Sequence, residues 1–221
     1  MNYKNIVLLI VLLPFVAVAE EDSPESEKNL EDPTKIITKF GVGYNGDLTF
    51  RGSVGLDETR KLNFSINDNA TEWSAGASWL FPVGIANVYV SGDENRTSYN
   101  LGTYVPLSAF KVDTGKWMIF PMAGFSYTQP KDDVDYMGNK QLDSYGGYLG
   151  VFVLRPINAR LSLISWGGGN LGTESYYSYW IGGGLSYRMT NRQSINFIGT
   201  ASEDTYRTNK KLGANYTYEF N

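Results

Sequence analysis

The side chains that most often perform enzyme chemistry are missing from this chain: its 221 residues include no histidine and no cysteine. A serine or water nucleophile would need lysine, aspartate or glutamate as its activating base, a rarer arrangement than a histidine base. The usual zinc and copper ligands are absent for the same reason. Asp132, Asp133 and Asp135 could hold a hard cation through oxygen, but their spacing does not fit an EF-hand, and a solvated acidic loop is the simpler reading. Gly41-Val42-Gly43-Tyr44-Asn45-Gly46 matches G-x-G-x-x-G. A dinucleotide site needs a helix directly after that motif, and an alternating strand pattern follows instead. Gly167 to Gly169 and Gly182 to Gly184 read as loop and tight strand packing rather than phosphate cradles. No catalytic, cofactor or metal residue is assigned, and the chain reads as a non-enzyme.

The elements around these residues are strands. From Lys35 the apolar residues recur at every second position. Ile36, Thr38, Phe40, Val42 and Tyr44 share one face; after Asn45-Gly46-Asp47, so do Leu48, Phe50, Gly52, Val54 and Leu56. Folding this stretch about a three-residue loop places Tyr44 opposite Leu48 and Val42 opposite Phe50, whereas a two-residue loop would mix the faces. On the other face Gly41 lies across from Arg51, leaving room for a guanidinium. Similar units follow, with turns at Asn67 to Ala70, Gly92 to Arg96, Arg155 to Asn158 and Thr190 to Arg192. Longer polar connections are expected at Gln129 to Gln141 and Ser202 to Lys210, with a glycine loop at Gly167 to Gly172. Pro121 falls within the strand Lys116 to Thr128, so a bulge or break is expected there. No useful helical period appears after the first residues. The segmentation gives an all-β chain of about twelve strands, or eight or ten if the weakest are merged.

The last strand carries the most specific signal. In Lys211 to Phe220, Leu212, Ala214, Tyr216, Tyr218 and Phe220 share one face, and Lys211, Gly213, Asn215, Thr217 and Glu219 the other. The order of Lys211, Gly213, Tyr216, Tyr218 and Phe220 resembles the C-terminal assembly signal of Gram-negative outer-membrane β-barrel proteins, with one departure: Asn221 follows the final aromatic. The resemblance implies a closed antiparallel transmembrane β-barrel over residues 35–221, its apolar face toward lipid and its polar face toward the lumen. It also implies contact with outer-membrane lipid and lipopolysaccharide, and with the barrel-assembly machinery during insertion. The enzymes known among such barrels resemble one another in needing a histidine, which this chain lacks.

The start of the chain agrees with that destination. Lys4, the apolar run Ile6 to Val18 and Ala17-Val18-Ala19 fit a cleavable signal peptide over residues 1–19, too short for a retained membrane helix. Residues 20–34 hold seven acidic side chains with Pro24 and Pro33, and read as a disordered periplasmic leader. Without Lys4 the chain keeps one basic residue fewer than its total of 19, against 23 acidic ones, which argues against a nucleic-acid partner.

Strand phase assigns Lys39, Arg51, Asn63, Asn100, Arg188, Asn215 and Glu219 to the lumen. Lys39 and Glu219 should face each other, because first and last strands are neighbours in a closed barrel. Tyr44, Trp79, Trp117, Tyr127, Tyr176, Tyr177, Tyr179, Trp180, Tyr216 and Tyr218 suit interfacial girdles. Two functions follow: a narrow passive channel for small hydrophilic solutes, or a structural or surface-interaction barrel, adhesin-like, filled by side chains. Strand count discriminates between them, since eight strands leave no passage. No residue names a solute.

Overall fold

The computed structural model describes Asn29 and residues 31–131, 135–136, 139–140 and 142–220. The expected signal peptide, the leader before Asn29, Asp132 and Asp133 lie outside the described residues.

Twelve strands close into one barrel: β1 (Thr38–Tyr44), β2 (Leu48–Gly55), β3 (Arg60–Asn67), β4 (Trp73–Phe81), β5 (Gly84–Gly92), β6 (Arg96–Tyr104), β7 (Met118–Pro130), β10 (Ser144–Pro156), β11 (Leu161–Gly172), β12 (Tyr177–Thr190), β13 (Gln193–Asp204) and β14 (Thr208–Phe220). Two short strands, β8 (Asp135–Tyr136) and β9 (Asn139–Lys140), pair with each other in the connection between β7 and β10. Every barrel strand pairs antiparallel with its neighbours in sequence, and β14 returns to β1 from Thr38↔Phe220 to Tyr44↔Ala214. Closure leaves no barrel strand with an unpaired edge, the condition for placing strands in lipid.

The first hairpin shows how local chemistry sets this register. Tyr44 pairs with Leu48 and Val42 with Phe50 across a three-residue turn. Gly46 takes φ of 111°, which a residue with a Cβ adopts only under strain. The alternation then runs around the barrel: Leu212, Leu171 and Phe125 on the outer face are 82%, 77% and 76% exposed, while Leu154 on the inner face is fully buried. The outer face is therefore a continuous apolar surface, and the lumen holds both the polar residues and a small core.

Several expectations need correction. Pro121 causes no break; β7 passes through it in register with Val151 of β10. Its carbonyl accepts from Val105 N at 3.0 Å, just past the end of β6, so its missing N–H points where no ladder bond is required. Gly167 to Gly172 are not a loop but the second half of β11, paired on both sides. The charged stretch at Ser202 is mostly strand as well, and the turn shrinks to residues 205–207. Tyr176 and Trp180 do not join the outer girdle. Tyr176 is 6% exposed inside the loop-bearing end, and Trp180 lies against Tyr148 at 6.3 Å between ring centroids.

The glycine-rich strands make room for such rings. A Cβ on Gly168 would stand 2.6 Å from Trp180, one on Gly182 2.4 Å from Trp166, and one on Gly102 would overlap the Tyr148 hydroxyl. Large rings therefore pack along the inner wall over glycines one or two strands away. On the outer face, Tyr99, Tyr127 and Tyr145 stack across three strands, with centroid separations of 5.8 and 4.8 Å. Trp117 at the opposite rim receives the Arg155 guanidinium 4.6 Å from its ring centroid.

Candidate functional site

The lumen is a concave surface on which several elements converge, and its two ends differ. At the rim carrying the turns 45–47, 68–72, 93–95 and 205–207, called here the loop rim, the barrel contains a polar cavity of about 320 Å³. Arg51 and Tyr89 stand at its floor, Ser74, Ser91 and Ser98 on its walls, and Arg96 and Arg207 at its mouth. Strand phase explains the set, since each of the five wall and floor residues occupies the inward position of its strand.

Charged side chains bridge this mouth. Arg96 at the start of β6 reaches Asp204 at the end of β13 at 2.8 Å, and Arg207 reaches Asp93 at 3.1 Å. Arg207 also approaches Glu72 at 3.5 Å, and Lys211 meets the same carboxylate at 2.7 Å. Arg96 further donates to the Tyr176 hydroxyl at 2.5 Å and lies over the Tyr176 and Tyr206 rings. Burial beside Tyr176 pushes the Tyr206 hydroxyl up to about 12. Three cations and three carboxylates make the cluster neutral. It is a set of paired charges across an opening, the arrangement that buried ions require.

Sequence reading missed this cluster, yet it left a trace. Asp93-Glu94-Asn95-Arg96 and Asp204-Thr205-Tyr206-Arg207 are both D-x-x-R turns. In each, the Asp Oδ1 accepts the backbone N–H groups two and three residues on. The remaining oxygen of each is free for an arginine, and the arginines cross over to each other's turn.

At the opposite rim, where β1 begins and β14 ends, the residues before β1 enter the barrel. Asn29 donates to Ser162 Oγ on β11 at 2.9 Å. Glu31 accepts from Asn196 at 2.9 Å and from Ser186 and Ser194 at 3.3 Å. Lys61 on β3 donates to the carbonyls of Pro33 and Lys35, and Ser53 on β2 to that of Ile37. Asp32 and Thr34 are buried, with the Asp32 side chain holding a turn through Thr34 N and Oγ1. The described part of the segment expected as a disordered leader is thus ordered within the mouth, because its carboxylates and carbonyls find donors on the wall.

The seven residues assigned to the lumen by phase are distributed as follows. Lys39 and Glu219 are cross-strand neighbours, but the ion pair at 3.0 Å joins Glu219 to Lys35. Arg51 faces Gly41 across the ladder, and its Nε is buried with no hydrogen-bond partner among the described residues. Asn63 donates to Ser78, which donates on to Asn87. Asn100 lies opposite Tyr89 and Ser126, and Arg188 near Asn29 at the terminal rim. Asn215, opposite Gly43 and Asn196, reaches Thr217 at 3.4 Å. They form no single cluster. In the terminal strand, Lys211 and Gly213 face inward, while Tyr216, Tyr218 and Phe220 face out.

An apolar group completes the interior. Ile85, Phe120, Met122, Leu154 and Ile164 are buried on the inner face, with Phe120 edge-on to Phe152 at 5.9 Å. The lumen is polar along β1 to β4 and partly filled along β7 to β12.

This closed barrel has the fold of solved outer-membrane β-barrels. The NanC porin superposes with a TM-score of 0.58 at 10% identity, covering 83% of this chain and 99% of that one. The COG4313 outer membrane channel from Pseudomonas putida F1 gives 0.53 at 13%, covering 89% and 100%. The translocator domain of the autotransporter NalP from Neisseria meningitidis gives 0.53 at 13%, covering 83% and 85%. No protein-family model and no curated protein sequence matches the chain. At these identities the likeness defines the fold, a closed twelve-stranded barrel.

Proposed function

We propose that the protein is an integral outer-membrane barrel acting as a narrow passive channel for small hydrophilic solutes. The observation that carries this reading is the 320 Å³ cavity inside the barrel, walled by serines, Tyr89 and Arg51 rather than by apolar side chains. A lumen built only to be filled would exclude such a space, because an unoccupied polar wall leaves its groups without partners. The exposed outer face, with Leu212, Phe125, Leu171 and the stacked tyrosines, meets outer-membrane lipid and lipopolysaccharide. The barrel-assembly machinery recognises the terminal strand Lys211 to Phe220, and the terminal rim faces the periplasm. Swelling of proteoliposomes in small polyols tests the channel: uptake falling with solute size supports it, and swelling equal to that of protein-free vesicles removes it.

A second reading, a structural or surface-interaction barrel, draws on different observations. The Phe120, Leu154 and Ile164 cluster and the ordered segment before β1 both occupy lumen space. Unchanged vesicle permeability would favour it.

A further inference from the structure

Glu31 is a carboxylate on the segment preceding the barrel, and three donors from two wall strands converge on its Oε1. They are Ser186 Oγ of β12 at 3.3 Å, Ser194 Oγ of β13 at 3.3 Å and Asn196 Nδ2 at 2.9 Å. All three side chains are deeply buried: Ser186 is 5% exposed, Asn196 3% and Ser194 1%. With the segment in place these three donors are out of contact with water, and the Glu31 carboxylate supplies the acceptor they need. Asn196 shows the same preference in its own geometry, since turning Nδ2 to the carboxylate leaves its Oδ1 buried without a hydrogen-bond partner among the described residues. Across the lumen, Arg51 interacts electrostatically with Glu31.

We infer that Ser186, Ser194 and Asn196 form a carboxylate-binding site in the lumen, that Glu31 occupies it in cis, and that Asn29 and residues 31–35 are a tethered plug of the terminal mouth. The plug is fastened on both sides of this latch. Asn29, before it in the chain, holds Ser162, and Lys35, after it, holds Glu219 at 3.0 Å. Lys61 reaches in from β3 to two of its carbonyls, so the segment is gripped from strands well separated around the barrel. Its contacts with the wall include hydrogen bonds and an ion pair. Such contacts exchange readily with water, which suits a segment that leaves and returns.

The conductance effect rests on the channel reading; the release of the plug does not. The test therefore reads both in the full-length mature protein. Glu31→Ala should raise the open-to-closed ratio of single channels by about tenfold or more, the effect of one charge-assisted contact. Asn196→Ala should act in the same direction. In the double variant the effects should fall well short of the product of the two, because each change removes the same contact. Independently, trypsin cleavage after Lys35, followed by mass spectrometry, should accelerate several-fold in Glu31→Ala, since the released segment becomes accessible outside the barrel. Cleavage at the wild-type rate in Glu31→Ala, or multiplicative effects of the two substitutions on cleavage, overturns the plug. Faster cleavage with no conductance in any variant keeps the plug and removes the channel.

Discussion

Arg96 on β6 and Asp204 on β13 meet at 2.8 Å although five strand steps separate them around the barrel. Their contact spans the loop rim, and its counterpart, Arg207 with Asp93, runs back the other way at 3.1 Å. Both arginines belong to D-x-x-R turns, and each neutralises the aspartate of the other turn. The mouth is thereby narrowed by side chains whose positions are fixed by backbone hydrogen bonds within the turns themselves.

Arg96→Met leaves Asp204, whose side chain is 4% exposed, without its cation. Breaking a buried pair from one side costs about 3 kcal/mol or more, whereas replacing both partners by apolar groups is often neutral. Urea unfolding of the barrel in lipid should show that loss for Arg96→Met and recovery of part of it in Arg96→Met with Asp204→Asn, which removes the unpaired charge and keeps the side-chain oxygen that accepts from Tyr206 N and Arg207 N. Equal losses in the single and double variants would mean the pair does not couple the two strands.

Gly184 and Gly199 separate two kinds of barrel glycine. A Cβ on Gly184 would stand 1.8 Å from the Phe197 carbonyl oxygen, a backbone atom held in the β12–β13 ladder, while one on Gly199 would meet only Leu212 Cδ1 at 3.7 Å. Gly184→Ala should destabilise the barrel by roughly 3 kcal/mol and impair assembly. Gly199→Ala should be neutral or stabilising by up to about 1 kcal/mol. Heat-modifiable mobility on gels, with urea midpoints, checks both.

The turn between β2 and β3 responds to pH. Backbone donation from Thr59 and the Arg60 guanidinium hold the Asp57 carboxyl down at about 2. A carboxylate whose folded value lies below its unfolded one stabilises the turn above the unfolded value, and that contribution is lost as pH falls toward 2. Amide exchange at Thr59 and Arg60 should accelerate in Asp57→Asn at neutral pH, and the difference between variant and parent should shrink steadily as pH falls from about 4 toward 2. A difference that stays constant across that range would contradict the assignment.

Glu219 tests the closing seam. Glu219→Gln removes the charge from a pair whose side chains are 13% and 17% exposed, with an expected loss of about 1.5–3 kcal/mol, the range for hydrogen bonds to charged groups. It should also speed trypsin cleavage after Lys35. Unchanged unfolding and unchanged cleavage would show that the Lys35 contact holds nothing.

Much of the barrel was legible because a strand in lipid writes its two environments into alternate residues. Tyr44 opposite Leu48 and the inward phase of Arg51 follow from period two and one turn length, and Lys39 opposite Glu219 follows from the barrel closure that the resemblance of the last strand implies. What escaped was whatever depended on distance around the barrel. Tyr176 and Trp180 have girdle-like composition, but their destination was decided by Arg96 and by Gly168 on other strands. Gly167 to Gly172 resembled a loop because glycine marks loops locally, whereas here it clears space for a ring one strand away. The segment before β1 looked disordered because its acids have no local partner; the partners of Glu31 lie 155 to 165 residues along the chain.

The central claim is that water and solutes pass through this lumen. Purified wild-type protein and Glu31→Ala, each shown to be folded by heat-modifiable mobility, should be measured in planar bilayers. Uniform single-channel steps, brief in the wild type and longer-lived in Glu31→Ala, are the predicted result. The absence of steps above the bare-lipid baseline in both proteins would contradict it.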